Sequence, residues 1–317
     1  MVEVEIFRNS ASIDPQLHIW GWEIPVYLFL GGLTGGIMIL TAVAGRRGAG
    51  LGLSRAMRLL PFAAPLLLSL GMGALFLDLE YKLHVFRFYT AMKPTSPMSW
   101  GSWLLLLIYP ATVLLGLARL TDEDVATLPL LRSLRGRTAD TLARLRAFGT
   151  ANVGTVETAN VILGIALGGY TGILLGTLGA RALWSSVLLG PLFLVSGLST
   201  GAAFMMLFHL GHEEHATLRR WDIAAIVVEL LLLGLFFVEL ASSGGAKGRA
   251  AAALFFGGGY TAVFWSLVVV AGLAAPLAIE IAEGRKWLRP AIAAPALLLV
   301  GGLSLRWIFV LAGQAAV

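Results

Sequence analysis

The chain has 317 residues, of which 58% are hydrophobic and only 13% charged, with a mean hydropathy of +0.84. A soluble protein carries about 25% charge, so a water-facing globule is excluded and a membrane protein with several spans is implied. With no cysteine, the chain has no disulfide, no thiolate nucleophile and no iron–sulfur ligands of its own. Its net charge of +5 is spread over short loops, which does not describe a nucleic-acid surface.

Met1 to Ser12 is polar, and the first apolar run is long enough to be a full span rather than a cleavable signal. A span needs about 20 apolar residues, and eight such runs occur, at about 23–44, 60–80, 100–119, 155–178, 183–207, 222–241, 257–282 and 290–313. The predicted fold is an all-α, eight-span single membrane domain. Arginine and lysine gather in the connections after spans 1, 3, 5 and 7, from Arg46 and Arg47 through Arg146 to Arg285 and Lys286. Such loops stay on the cytoplasmic side, which puts both termini outside, periplasmic in a bacterial inner membrane. Trp20, Trp22, Trp100, Trp103, Trp184, Trp221 and Trp287 fall near the expected span ends, where indole prefers the headgroup level.

Glycines mark close packing. Gly31, Gly32, Gly35 and Gly36 crowd span 1, and Gly164, Gly168, Gly172 and Gly176 form an i+4 stripe down span 4. Small stripes let helix backbones approach in lipid, without saying which helices meet. Gly32–Leu33–Thr34–Gly35–Gly36 in span 1 is echoed by Gly197–Leu198–Ser199–Thr200–Gly201 in span 5. Two parallel four-helix bundles would leave that pattern. Chance likeness between glycine-rich helices would leave it too.

Ionisable residues inside spans are costly and usually face protein or water. Those here are Glu23, Asp78, Glu80, Glu157, Glu229, Glu239, Glu280, Glu283 and Arg306, with Glu80 and Glu283 read as solvated span ends. Near the outer face several polar groups converge. Asp14–Pro15 reads as a helix start, His18 follows one turn later, and Glu23 lies just before Pro25. Span 2 ends outward at Asp78, span 3 begins at Pro97–Met98–Ser99–Trp100, and span 4 runs outward through Tyr170 to Arg181. A quinol loses a proton from each of two oxygens as it is oxidised, so it needs acceptors such as an imidazole and a shielded carboxylate. His18, Glu23, Asp78, Tyr170 and Arg181 are the candidate quinone-binding set.

Each has a plainer role: His18 as an interfacial residue, Asp78 as an i,i+4 partner of Lys82, Tyr170 as packing, and Arg181 as an anchor. Depth separates two of them, since Tyr170 precedes Arg181 by 11 residues, about 16 Å along a helix. One headgroup meets both only if span 4 tilts or the outer face is indented. Glu157, Glu229 and Glu239 are candidates for a proton path, with hydrogen-bonded structural acids as the alternative. His209, His212 and His215 flank Glu213 and Glu214 without the spacing of a zinc motif, and read as a solvated helix end. No histidine falls well inside a span, so haem is not expected, no metal site is predicted, and electrons must come and go through another protein.

Ile19 to Gly36 (IWGWEIPVYLFLGGLTGG), Ser96 to Trp103 (SPMSWGSW), Tyr170 to Leu183 (YTGILLGTLGARAL) and Pro191 to Ala202 (PLFLVSGLSTGA) resemble the NrfD/PsrC family. The resemblance spans roughly residues 14 to 313. It implies a cofactor-free, eight-helix subunit that exchanges electrons with menaquinone or ubiquinone. It also implies a ferredoxin-like four-cluster iron–sulfur partner outside, with a molybdopterin catalytic subunit or a multihaem cytochrome beyond it. By motif match the family's histidine and tyrosine fall on His18 and Tyr170, and its acidic end of span 2 on Asp78. Glu80 stands where many members have glycine, and Ala182 interrupts the Arg-Pro-Leu-Trp pattern around Arg181. A proton-coupled transporter and a passive membrane anchor are the competing readings.

Overall fold

The computed structural model describes residues 20–48, 52–90, 92–93, 95–133, 136–177, 181–242, 244–288 and 291–315. They are all-α, and eight helices are long and apolar enough to cross a membrane: α1 (Glu23–Arg46), α2 (Arg55–Asp78), α3 (Pro97–Arg119), α4 (Val153–Gly176), α5 (Leu189–Met206), α6 (His212–Ser242), α7 (Thr261–Gly284) and α8 (Ala293–Ala315). Two differ clearly from expectation. α5 starts at Leu189 because residues 181–188 turn first, with Arg181 O accepting from the backbone N–H of Trp184 and Ser185. α6 starts ten residues early, where Glu214 accepts from the backbone N–H of Gly211 and of Ser54. The histidine-rich stretch therefore belongs to the helix that crosses.

α1 is the central element, packed on α2, α4, α5 and α8. Its two glycine faces explain why. A β-carbon on Gly35 would lie 2.8 Å from Gly164 O and 3.1 Å from Gly168 N of α4, while one on Gly36 would strike Gly197 O of α5. The two similar glycine segments of spans 1 and 5 are therefore each other's packing surface. Without a hydrophobic drive between helices in lipid, such backbone contact is what holds them together.

The end of the bundle carrying Trp20 also carries the end of α2, the start of α3 and the ends of α4 and α8. The opposite end carries Arg46. At the Trp20 end the backbone N–H of Trp20 donates to Gln314 Oε1 at 2.9 Å, and Gln314 Nε2 donates back to Trp20 O at 3.0 Å. That reciprocal pair ties the start of α1 to the end of α8. Trp20 also packs against Trp184 with ring centroids 5.2 Å apart and planes tilted by 35°, and Trp184 Nε1 donates to Phe309 O.

At the Arg46 end, Glu157 of α4 holds α1 and α3 together, meeting Arg119 Nη2 at 3.1 Å and Arg46 Nε at 3.4 Å. Gly45 makes room, since a β-carbon there would overlap the Arg119 guanidinium. Asp124, beyond α3, takes Arg58 in two bonds, Nε to Oδ2 at 2.6 Å and Nη2 to Oδ1 at 3.0 Å. Thr121 closes a capping box on the same carboxylate. These bonds hold the buried Asp124 carboxyl well below the usual carboxylate range.

Candidate functional site

A cavity of about 200 Å³ opens at the Trp20 end between α1, α2, α3 and α4. Ile24 and Tyr27 line it from α1, Met72, Leu75, Phe76 and Asp78 from α2, Met98, Ser102 and Leu105 from α3, and Tyr170, Leu174 and Leu175 from α4. Trp20 lies at its edge, and Val85 and Tyr89 cover it from the connection between α2 and α3. Phe76 and Met98 are also exposed on the outside of the bundle, so the cavity reaches the lipid side between α2 and α3. The walls are apolar and the polar groups few and convergent, as in a site for a flat organic ligand.

Tyr170 is placed by the backbone around it. The residue two places on, Gly172, points away toward α5, where a β-carbon would overlap Leu189 O. This fixes the rotation of α4 and turns Tyr170 toward α3. There Gly101 leaves no side chain in its way, and the Tyr170 ring and hydroxyl occupy the space a β-carbon would take. Thr171 caps the turn by donating to Gly168 O at 2.7 Å. The Tyr-Thr-Gly stretch thus sends its aromatic to the cavity and its glycine to a helix crossing. Tyr170 is buried, and its hydroxyl makes no hydrogen bond among the described residues.

Asp78 is the last residue of α2, because Leu79 turns to an extended conformation with ψ 126°. Lys82 therefore does not follow one helical turn later, and among the described residues Asp78 makes neither an ion pair nor a hydrogen bond. The structural bridge weighed from the sequence has no geometry to support it. The segment Ser96–Trp100 starts α3 with Pro97 in its first turn, and Ser99 Oγ accepts from the backbone N–H of Lys93 at 3.0 Å, folding the connection over the cavity. Burial raises the Tyr89 phenol above its ordinary value, so it stays a neutral O–H at the cavity's edge.

Of the residues singled out from sequence, Asp78 and Tyr170 face this cavity together. Glu23 is near enough for its charge to act on Asp78, but it folds back over Gly21 and is not in the lining. Arg181 lies past the end of α4 in the turn before α5, also outside the lining. His18 falls outside the described residues, two positions before Trp20. The lining runs two turns from Tyr170 to Thr177, just past the end of α4, and stops short of Arg181. Tyr27 and Tyr89, which the sequence reading passed over, add two phenols. Tyr27 sits four residues after Glu23 in a helix taken as packing, and no spacing signal marks it.

The three proton-path candidates are separate in space. Glu157 is committed to Arg46 and Arg119. Glu239 accepts from Ser186 near the Trp20 end. Glu229 lies buried midway along α6 beside Ser196 and the wholly buried Arg306. Arg306 donates from Nη1 to Ser196 Oγ at 2.8 Å and to Gly302 O at 2.9 Å, and from Nη2 to Phe193 O at 3.2 Å. Sequence reading also missed Asp222, placed at a span edge but in fact ten residues inside α6 and fully buried. Glu283, read as solvated, is buried and accepts from the backbone N–H of Ala291. Among the described residues no group of three or more metal-ligating side chains converges.

Eight apolar helices of membrane-crossing length, with a polar-tipped cavity between the first four at one end, define a polytopic integral membrane protein. The chain belongs to the NrfD/PsrC polysulfide-reductase-like family, matching the family described as "Polysulphide reductase, NrfD" over residues 11–317. It is 31% identical to protein NrfD of Escherichia coli over 98% of this chain and 99% of that one. It is 29% identical to a polysulfide reductase chain of Wolinella succinogenes over 94% and 95%. A homologue of protein NrfD in Haemophilus influenzae is 30% identical over 52% of this chain and 54% of its own. Family and fold together support a membrane-embedded electron-transport subunit.

Proposed function

We propose that the protein is the quinone-reactive subunit of a respiratory oxidoreductase, exchanging electrons between menaquinone or ubiquinone and an iron–sulfur partner. The observation that carries this reading is the meeting of two polar groups without a partner among the described residues, the Asp78 carboxyl and the Tyr170 hydroxyl, in one apolar cavity that reaches lipid. The buried Tyr170 hydroxyl is costly to leave without a partner, and one ligand oxygen relieves it while a second comes within reach of the half-buried Asp78 carboxyl at the rim. The cavity has room for a quinone ring, and the tail stays in lipid past Phe76 and Met98.

In this reading the Tyr170 hydroxyl donates to one oxygen of the ring. Asp78, at the rim, takes a proton from quinol and passes it to solution, and His18 serves the second oxygen. Glu23 acts at a distance through its charge on Asp78, and Arg181 orders the turn at the end of α4. Quinone is the substrate; the protein supplies no haem or cluster, so electrons leave to a ferredoxin-like four-cluster subunit seated over the Trp20 end. Behind it stands a molybdopterin catalytic subunit or a multihaem cytochrome, in line with a relative named as part of polysulfide reductase. In this reading the Trp20 end and both termini face the periplasm of a bacterial inner membrane, which the positive loops at the other end support. Protons released at the cavity then appear outside. Of the three proton-path candidates Glu229 is favoured, because it lies buried midway along α6, whereas Glu157 is held in ion pairs with Arg46 and Arg119 and Glu239 lies near the Trp20 end.

The test is purification from the native membrane in mild detergent, identification of every co-purifying protein, and titration with a menaquinol analogue. A co-purifying iron–sulfur subunit and quinol oxidation lost in Tyr170→Phe are the expected results. A protein that emerges alone and moves a solute across vesicles overturns the reading in favour of a transporter. Unchanged quinol oxidation in Tyr170→Phe and Asp78→Asn leaves a passive anchor.

A further inference from the structure

At the opposite end of the bundle from the cavity, between α5, α6 and α7, lies a buried acid pair that the quinone reading does not use. Asp222 of α6 and Glu280 of α7 are 0% and 1% exposed, and their carboxyls sit against one another. Ser199 of α5 donates to Asp222 Oδ1 at 2.6 Å. Asp222 Oδ2 and both oxygens of Glu280 receive no hydrogen bond from any N–H or hydroxyl among the described residues.

The charged groups facing the pair come from two helices. On α6 they are Arg219, which acts on Glu280, and Glu229, which acts on Asp222; on α7 it is Glu283. His215 stands beyond, beside Glu283 and Arg219. α5 contributes only the Ser199 hydroxyl, and α8 directs Arg306 to Glu229 rather than to the pair. Among the described residues no cation makes an ion pair with Asp222 or Glu280.

Ionised carboxylates have only acceptor oxygens. Two of them in contact, shielded from water and without a paired cation, repel strongly. The contact becomes attractive when one oxygen carries a proton and donates it to the other. We propose that Asp222 and Glu280, steadied by Ser199, form a proton-holding site that exchanges a proton with the solution at the Arg219 end of the bundle. On uptake an O–H bond forms on one carboxylate as hydronium gives up its proton, and release is the reverse. The next polar layer, Glu229 with Ser196 and Arg306, lies seven residues further along α6, about 10 Å. That is beyond a direct hydrogen bond, so the pair exchanges with its own face.

The test is infrared spectroscopy of the full-length protein in lipid nanodiscs at neutral pH, recorded in light and heavy water. A deuterium-sensitive carboxylic-acid C=O band is expected in the native protein, lost in the double variant Asp222→Asn/Glu280→Gln and displaced in Ser199→Ala. A spectrum in which the double variant keeps the band unaltered overturns the proposal. Should the double variant not fold, Ser199→Ala decides alone: a displaced band supports the pair and an unmoved one overturns it. The reading needs no quinone, so its outcome is separate from that of the cavity.

Discussion

The hydroxyl of Tyr170 lies over the α-carbon of Gly101 on the neighbouring helix, in the space any larger residue would claim. Two substitutions separate chemistry from shape. Tyr170→Phe keeps the ring and removes a hydroxyl that has no partner among the described residues, so thermal stability should change by less than about 1 kcal/mol. Quinol oxidation in the intact complex should fall about 100-fold. Gly101→Ala should instead cost about 1–3 kcal/mol by overpacking and displace the ring, weakening the quenching of Trp20 emission by a quinone analogue.

Asp78→Asn is expected to leave the melting temperature of the detergent-solubilised protein unchanged, because the carboxyl holds no partner among the described residues. Turnover with quinol should drop at least tenfold. Lys82→Ala should change neither melting temperature nor turnover, since the break at Leu79 removes it from the turn that would have paired it with Asp78. A melting temperature lowered equally by both substitutions would restore the structural bridge.

Glu157→Gln should be strongly destabilising. Arg119 is buried and already has Nη1 without a partner, and removing the opposing charge leaves it uncompensated, at a cost of about 3–5 kcal/mol. If Glu157 were instead a mobile proton carrier, the same substitution would spare stability and slow proton movement in vesicles. Chemical denaturation in detergent alongside a vesicle proton assay distinguishes the two.

Acid should loosen the Arg46 end first. The Asp124 carboxyl is depressed in the folded protein by Arg58 and Thr121, so its contribution is complete above the ordinary aspartate value, about 3.9. It is lost progressively as pH falls below that value toward the lower folded one. Asp124→Asn should remove about 2–3 kcal/mol near neutral pH and flatten the acid limb of a stability-versus-pH curve.

The spans were legible because the bilayer demands long apolar runs, and the bundle's close crossings because glycine stripes have few other uses in lipid. Which stripes meet was not legible: it depends on helix rotation, and Gly35 and Gly36, adjacent in sequence, face α4 and α5 respectively. Asp78 and Tyr170 stood out as polar groups in costly places. Tyr27 and Tyr89 did not, because a phenol in an apolar helix or a loop is ordinary until the cavity is seen. Asp222 was lost to a boundary. Its neighbour Trp221 looks like an interfacial anchor, and only the early start of α6 puts both residues inside the helix.

The reciprocal bonds between Trp20 and Gln314 join residues 294 positions apart. In the cell α1 leaves the ribosome well before α8, so the start of α1 waits through the synthesis of all the helices between for the partner that fixes it. Until then the tryptophan at the mouth of the cavity has no anchor from the final helix. The cavity between the first four spans is therefore tied at its edge to the eighth, and a product truncated before Gln314 would insert its early helices with that edge unanchored.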